Sequence, residues 1–227
     1  MPVDPYLQWM IGTSVESHPH RGATVHVVTT LGRLGLVALG DVADQADAVG
    51  EAVRALRADG RDPLRASVHP GAADDVTVWD GPPTAWEWML HDGRPVETPR
   101  GVAWLAADRS EELTSLIADH SPTAHARPGD PDVRGWAGVV VDDVVVATGA
   151  VVDSPAAWPH LRAIVTHPSA RGRGLGTAVT AFLTADALRR AGACSLSMYS
   201  HNDGARRLYE RLGYRTVRRF ASAPVSR

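Results

Sequence analysis

A glycine-rich run, Arg171-Gly-Arg-Gly-Leu-Gly-Thr177, constrains the fold of this chain more than any other feature. It follows the segment His160–Thr166, which is predicted to be a strand, and it opens a predicted helix from about Gly174 to Arg190. A turn from strand into helix leaves backbone N–H groups unpaired at the positive end of the helix dipole. Glycines let a ligand approach that backbone, and Arg171 and Arg173 can add charge-assisted hydrogen bonds. The run therefore predicts a binding site for an anionic, phosphorylated ligand.

Two well-known phosphate-binding motifs fit this run poorly. A Rossmann fingerprint requires G-x-G-x-x-G in the first βαβ unit, whereas this run has G-x-G-x-G and lies late in the chain. A Walker loop requires a lysine, and the sequence contains none. On the residues alone, a glycine-rich turn without a ligand remains the alternative, and the identity of a ligand stays open.

A second signature lies further along the chain, in Asn202-Asp-Gly-Ala-Arg-Arg-Leu-Tyr-Glu-Arg-Leu-Gly-Tyr214. This segment resembles the pattern N-x-x-A-x-x-L-Y-x-x-L-G-F/Y of the GNAT superfamily of acyl-CoA-dependent N-acyltransferases. The run Arg171-x-x-Gly174-x-Gly176 resembles the acyl-CoA pyrophosphate loop of the same family. Both motifs stand in the family's order. The resemblance covers roughly Val102 to Phe220 and is most specific from His160 to Tyr214.

The resemblance implies both a fold and a co-substrate. The fold would be α/β, a mixed sheet sandwiched by helices, with two neighbouring strands splayed apart. Acetyl-CoA would bind with its pantetheine arm lying like an extra strand in the splay and its pyrophosphate on the glycine-rich run. The residues implied to bind it are Ile164, Val165, Thr166, Arg171, Gly172, Arg173, Gly174, Leu175, Gly176, Thr177 and Asn202. Asn202 fits a helix N-cap equally well.

The resemblance also points to two catalytic residues. Tyr209 would lie near the thioester sulfur and protonate the departing thiolate, although an aromatic beside Leu208 also fits a hydrophobic core. Many family members place a glutamate base early on the strand before the loop, and this chain has His160 there. A neutral imidazole can accept a proton from an amine, directly or through water. The alternative for His160 is that it only packs or caps at the end of the strand. The base could instead be Glu210, a glutamate on another strand or a chain of water molecules.

A polar segment with two prolines, Gly93–Arg100, divides the chain into two predicted domains, 1–95 and 96–227. The second is predicted to run β-α-β-β-β-α-β-α-β, with strands at Val102–Ala106, Trp136–Val141, Val144–Val152, His160–Thr166, Ser195–Tyr199 and Tyr214–Phe220 and helices beginning at Ser110, Gly174 and Asp203. The first is predicted to be an N-terminal α/β lobe, with strands at Thr24–Thr30 and Leu34–Leu39 and a helix at Asp44–Ala58. We interpret this lobe as a degenerate GNAT-like lobe or as a dimerisation element, which would make the protein a homodimer.

Composition argues against several other classes of protein. The formal net charge of −3 and the lack of a basic stripe argue against a nucleic-acid partner. Cys194 is the only cysteine and suits a buried apolar position, so we expect no disulfide and no thiolate metal cluster. The histidines lack metal-binding spacing, and no metal is expected. The N-terminus has no basic leader, and no apolar run reaches the ~20 residues that span a bilayer, so we expect a cytoplasmic protein without a membrane partner.

Together these features predict an N-acetyltransferase that moves an acetyl group from acetyl-CoA to an amine by direct attack in a ternary complex. The alternatives are a longer acyl donor and a catalytically idle acyl-CoA-binding or sensor module. A nucleotide-dependent oxidoreductase is disfavoured because no acidic ribose-binding residue follows the run. The acceptor would be a small-molecule or peptide amine. By resemblance, its pocket is bordered by the loop Ser121–Trp136, whose charged and titratable residues are His125, Arg127, Asp130, Asp132 and Arg134.

Overall fold

The computed structural model describes residues 4–11, 14–30, 33–154 and 158–227. The chain divides into two compact units, which are described separately. The first comprises Met1–Trp88, Met198–Asn202 and Val217–Arg227, and the second comprises Met89–Ser197 and Asp203–Thr216. The C-terminal end of the chain therefore belongs to the same unit as its N-terminal part. The domain boundary after residue 95 is a separate hypothesis about folding, and it stays a prediction.

The first unit is an α/β lobe, as predicted for the N-terminal part of the chain. It contains α1 (Pro5–Ile11), β1 (Ser14–His20), β2 (Ala23–Thr30), β3 (Arg33–Gly40), α2 (Val42–Ala58), β4 (Arg65–Val68), residues 84–88 of β5 (Thr84–His91) and residues 217–224 of β11 (Arg215–Pro224). Its strands lie in the order β1-β2-β3-β4-β11-β5. β1, β2 and β3 form an antiparallel meander, α2 crosses over, and β4 pairs parallel to β3. The apolar face of α2, with Val49, Val53 and Leu56, packs on this sheet and forms the core.

The second unit is a mixed sheet with a helix on each face. It contains residues 89–91 of β5, β6 (Ala103–Trp104), α3 (Ser110–His120), β7 (Val133–Val141), β8 (Val144–Val152), β9 (His160–Thr166), α4 (Leu175–Ala191), residues 194–197 of β10 (Cys194–Tyr199) and α5 (Asp203–Arg211). The strand order is β10-β9-β8-β7-β6, with β9 and β10 parallel and the other pairs antiparallel. α3 packs in the core that contains Ala150, whereas α4 brings Val179 and Leu183 next to Gly149. Neighbouring residues of a strand point to opposite faces, so the two helices sandwich the sheet, as predicted.

The element order predicted for the second half of the chain is confirmed, and β8 and β9 have the predicted bounds. Asp142 and Asp143 both have positive φ angles, 49° and 63°, as a two-residue hairpin turn requires. The clearest difference is β6, Ala103–Trp104, which is shorter than the predicted strand Val102–Ala106, whereas α3 begins at Ser110 as predicted. Within the described ranges, no helix has the length and apolar character needed to cross a bilayer.

A close approach between Gly213 and His91 fixes the turn that follows α5. Gly213 has a φ of 99°, and a Cβ there would lie 2.9 Å from His91 Nε2. This Nε2 donates a hydrogen bond of 3.0 Å to the carbonyl oxygen of Leu212. Gly192, which ends α4, has a similar φ of 72°, but a Cβ there would meet no atom within 4 Å. The two glycines therefore share a left-handed backbone and differ in steric contact.

Gly213→Ala should lower the free energy of unfolding by about 2–4 kcal/mol, because backbone strain adds to a clash with the His91 ring. Gly192→Ala is the matched control and should lose only the backbone contribution, about 1–2 kcal/mol. Denaturant unfolding followed by tryptophan fluorescence measures both values. Equal losses in the two variants would contradict the contact with His91.

Candidate active site

β9 and β10 stop pairing early, and this leaves a gap in the sheet of the second unit. The two strands have Cα partners at only two positions, His160 with Ser195 and Leu161 with Leu196. β9 continues to Thr166, and none of the described strands pairs with its remaining residues on the β10 side. Backbone groups of β9 therefore face a gap that can take another extended chain. This is the splay that the resemblance predicts.

A bulge determines which backbone groups of β9 face this gap. Ala163 has a positive φ of 51°, and the register between β8 and β9 shifts at this point. The His167 N–H donates to a carbonyl oxygen of β8 at 2.9 Å. By alternation, the backbone groups of Val165 also face β8 and those of Thr166 face the gap. Of the three residues predicted to pair with pantetheine, Thr166 thus faces the gap, Ile164 lies in the bulge, and Val165 faces β8.

The glycine-rich run forms an open turn at the start of α4. Gly172 and Gly174 have φ angles of 75° and 76°, in the left-handed region that favours glycine. A Cβ at either position would meet no atom within 4 Å, so the turn borders open space. Gly174 is the N-cap of α4, and no side chain caps the first N–H groups of the helix. Those groups are therefore available to an anion at the positive end of the helix dipole.

Two arginines add positive charge to this turn. Arg171 and Arg173 are both exposed, and Arg171 Nε donates to the Thr166 carbonyl oxygen at 3.2 Å. Neither guanidinium forms an ion pair with any carboxylate in the described part of the chain. All seven residues predicted to hold the pyrophosphate, Arg171 to Thr177, lie in this turn or in the first turn of α4. The turn thus combines unpaired N–H groups with unpaired cations.

The helix α5, which carries Tyr209, approaches the end of β9 through the neighbouring residue Leu208. A Cβ on Gly176 would lie 3.3 Å from Thr166 Oγ1 and 3.7 Å from Leu208 Cδ1, so β9, α4 and α5 converge at this point. Tyr209 is buried, and its ring lies 6.0 Å from that of Tyr214. Its hydroxyl forms no hydrogen bond with any described residue, and burial raises its pKa to about 12. The hydroxyl is therefore protonated at neutral pH and is not committed to another protein group.

Tyr214 and Cys194 differ from Tyr209 because the hydroxyl of Tyr214 and the thiol of Cys194 already form hydrogen bonds within the protein. The Tyr214 hydroxyl shares a hydrogen bond of 2.7 Å with Thr184 Oγ1 and donates to Cys194 Sγ at 3.3 Å. Cys194 is fully buried, and burial raises the pKa of its thiol to about 12. A thiol held in this protonated state is a poor nucleophile, so Cys194 packs as a small apolar residue. Among the residues that the structure describes, no group of three His, Cys, Asp or Glu side chains could hold a metal ion.

Asn202 belongs to the first unit and directly precedes α5. Its side chain is exposed, and its N–H donates to the Tyr199 carbonyl oxygen at 3.0 Å, which closes a turn. The contact between Asn202 and the CoA arm stays a prediction, and so does its alternative role as a helix cap.

His160 lies at the start of β9, immediately before the gap, and it is buried. Its Nδ1 shares a hydrogen bond of 2.8 Å with Ser195 Oγ, and its Nε2 lies 3.4 Å from Ser197 Oγ. Burial is the main cause that lowers the pKa of His160 well below its ordinary value, and the charges of Arg162 and His125 add to it. The imidazole is therefore neutral at neutral pH. Ser197 is exposed and gives the ring a hydrogen-bonding neighbour at the surface.

Sequence reasoning missed Ser195, Ser197 and Arg162 as neighbours of His160. Two serines spaced by two residues in an otherwise apolar strand were the available signal, since such residues share a face. Arg162 follows His160 by two residues and shares its face for the same reason. Arg162 Nη1 lies 3.3 Å from Asp132 Oδ2, so the loop predicted to border the acceptor pocket contacts this part of β9.

Comparison with known proteins agrees with this geometry. The model of the acetyltransferase (GNAT) family matches residues 81–214. A GNAT-family protein from Novosphingobium aromaticivorans superposes with a TM-score of 0.64 at 18% identity, covering 100% of this chain and 99% of that one. A GCN5-related N-acetyltransferase from Kribbella flavida gives 0.65 at 21% identity, covering 99% and 96%, and one from Sphaerobacter thermophilus gives 0.61 at 13%, covering 91% and 78%. These structures share the fold, and since the family match spans more than half of the sequence, the chain belongs to the acetyltransferase (GNAT) family.

Proposed function

We propose that the chain transfers an acetyl group from acetyl-CoA to the amine of a small molecule or peptide, by direct attack in a ternary complex. The observation that carries this proposal is the gap between β9 and β10, which leads to an open, cationic turn. The gap offers backbone groups to an extended arm, and the turn offers N–H groups and two arginines to a diphosphate. Acetyl-CoA has an amide-containing arm followed by a diphosphate, so its parts suit both features.

The proposed reaction needs two proton transfers. The acceptor nitrogen attacks the thioester carbonyl carbon, so a C–N bond forms and the C–S bond breaks. The nitrogen loses a proton to a base, and the departing thiolate takes up a proton. We assign the second transfer to Tyr209, because its hydroxyl is protonated and forms no hydrogen bond with the described residues.

His160 is the proposed acceptor of the amine proton. An aliphatic amine with a pKa of about 10 is mostly protonated at neutral pH and cannot attack until it loses a proton. His160 lies two residues before Arg162, the first residue of β9 beyond the pairs with β10, and its lowered pKa keeps the ring neutral and able to accept a proton. Because the ring is buried, the proton would reach it through the exposed Ser197 hydroxyl or through water.

The features of the first unit favour only one acyl-CoA site per chain, in the second unit. Its sequence of elements, β1-β2-β3-α2-β4, has the same pairing as β7-β8-β9-α4-β10, and α2 and α4 both have 17 residues. Between β3 and α2, however, Asp41 alone stands where the second unit has its glycine-rich turn. Asp44 Oδ2 accepts a hydrogen bond from the Gly22 N–H, so a carboxylate already lies at the start of α2. We propose that this unit is a degenerate GNAT-like lobe that binds no cofactor.

Gly174→Asp should abolish most acetyl-CoA binding, because it adds a negative charge beside the proposed diphosphate. Two charges about 4 Å apart near a protein surface interact by about 4 kcal/mol, so affinity measured by calorimetry should fall by at least about 10²-fold. Gly174→Asn has the same shape without the charge and should bind more tightly than the aspartate variant. Gly192→Asp controls for a charged residue at a left-handed position, with φ of 72° against 76°. Unchanged affinity in Gly174→Asp would exclude this turn as the diphosphate site.

Tyr209→Phe should lower kcat by roughly 10–10³-fold and leave acetyl-CoA affinity nearly unchanged, because it removes one positioned proton donor and keeps the ring. Thiol release from acetyl-CoA, measured with a panel of amines, gives kcat. Tyr214→Phe is the matched control: it breaks two hydrogen bonds and should lower the melting temperature more than kcat. If Tyr209→Phe turns over like the wild type, the thiolate leaves without this acid. Acetyl-CoA binding without turnover of any amine would instead indicate an idle binding module.

His160→Gln should remove the acidic limb of the kcat/KM profile and lower turnover at neutral pH by about 10²-fold. A base works only when deprotonated, so activity falls as pH drops through its pKa. Because the pKa of His160 is lowered, this limb should lie below the ordinary histidine value of about 6.5. His26→Gln is the matched control, since His26 Nδ1 also shares a hydrogen bond with a serine, Ser17. A His160→Gln enzyme that keeps both the limb and the rate would remove His160 from the mechanism.

A further inference from the structure

Arg162 is the first residue of β9 beyond the last residue pair with β10, so it stands at the mouth of the gap. Arg162 lies opposite Ala150 of β8, and Ala150 in turn lies opposite Trp136 of β7. Residues directly opposite each other point to the same face, and Ala150 and Trp136 both belong to the core against α3. Arg162 therefore lies on the α3 face of the sheet, as does His160 two residues before it.

The guanidinium of Arg162 is largely buried but poorly paired. Its side chain is 17% exposed, and burial is the main cause that lowers its pKa. Only Nη1 forms hydrogen bonds, at 3.3 Å to Asp132 Oδ2 and 3.4 Å to the His125 carbonyl oxygen. Nε and Nη2 have no hydrogen-bond partner among the residues described. A guanidinium presents five donors in a rigid fork, so most of this fork is unused at a desolvated position.

Arg190, in the same unit, is paired better than Arg162, because two of its nitrogens bind carboxylates. Its Nε donates to Asp186 Oδ2 at 2.9 Å and its Nη1 donates to Asp153 Oδ1 at 2.9 Å. Asp132, by comparison, is 42% exposed and reaches Arg162 with one longer contact. The Arg162–Asp132 pair therefore leaves guanidinium donors that a better aligned carboxylate could use.

We propose that Arg162 binds a carboxylate carried by the acceptor, so that the preferred acceptors are amines that bear their own acid group. This inference rests on the proposed acyl transfer and adds the class of acceptor. A carboxylate can bind the Nε–Nη2 edge with two parallel hydrogen bonds, which the desolvated guanidinium favours. The amine of the same molecule would then lie near the gap and near His160. A polycationic acceptor would instead bring further positive charge to Arg162.

The test compares acceptors that differ only in this group, namely α-amino acids and their carboxamides, in thiol release from acetyl-CoA. In the wild type, kcat/KM should favour the acid. Arg162→Gln should lower kcat/KM for the acid by about 10–10²-fold, the loss expected for a hydrogen-bonded charge pair, and change the value for the carboxamide by less than about threefold. Arg162→Lys should recover only part of the loss, because an ammonium lacks the fork. Arg189→Gln, at the exposed end of α4, is the control for loss of one arginine.

Asp132→Asn distinguishes recognition from a purely structural tether. If Arg162 recognises the acceptor, this variant frees the guanidinium, and KM for the acid should stay the same or fall. If the pair only holds the loop, Asp132→Asn should reproduce the loss seen in Arg162→Gln. That result would overturn the proposal. Equal losses for the acid and the carboxamide in Arg162→Gln would also overturn it, and so would a wild type that prefers carboxamides or polyamines. Absence of thiol release with every amine would instead contradict the acyl transfer on which the proposal rests.

Discussion

At its start, β9 pairs with β8 on one side and with β10 on the other, whereas its end pairs only with β8 among the described strands. Hydrogen-bonding groups of a strand must be paired or solvated, so the residues beyond Leu161 face a gap that another extended chain can fill. The bulge at Ala163 then selects Thr166 as the residue that turns its backbone into the gap. A short 3-10 segment, Pro168–Ala170, joins the end of β9 to the turn at the start of α4, so only a few residues separate the gap from the proposed anion-binding groups.

Electrostatics distinguishes the two units that share this order of elements. In the second unit, the uncapped N–H groups of α4 and two arginines surround an open turn, and neither arginine forms an ion pair with the residues that the structure describes. In the first unit, the turn is reduced to Asp41, and a carboxylate from Asp44 binds the neighbouring hairpin at the start of α2. Under the proposed function, the same arrangement of elements would accept an anion at the N-terminus of α4 and disfavour one at the N-terminus of α2. The two units can therefore share one order of elements and still provide only one proposed binding site, because the charged residues lie in the turn before the helix and not in the sheet.

Local sequence patterns were sufficient for much of the fold and for the position of the turn. β8 is a largely apolar run, β9 contains the apolar stretch Ala163–Val165, and α4 begins at a glycine-rich turn, so all three were predicted closely. β4 was missed because its four residues, Arg65–Val68, are too few to show a period. The pairing of β11 with β4 joins distant parts of the chain, for example Ala221 with Val68, and no local pattern encodes it. The positive φ of Ala163 was also beyond prediction, because alanine has no intrinsic preference for that conformation.

The candidate site shows the same limit. The glycine-rich turn could be located because its glycines and arginines are visible in the sequence, and its role in binding pyrophosphate stays a prediction. The surroundings of His160 could not, because its burial and its bond to Ser195 depend on the pairing of two strands. The unused donors of Arg162 likewise appear only once the acceptor loop is folded against β9.

Amide hydrogen exchange tests the central claim most directly, because a strand that gains a partner gains protection from exchange. With acetyl-CoA bound, exchange should slow in peptides that cover the end of β9 and the glycine-rich turn, residues 163–177. Peptides that cover the turn at Asp41 should not change. Unchanged exchange across residues 163–177 while acetyl-CoA is bound, or protection at Asp41 instead, would contradict the proposed site.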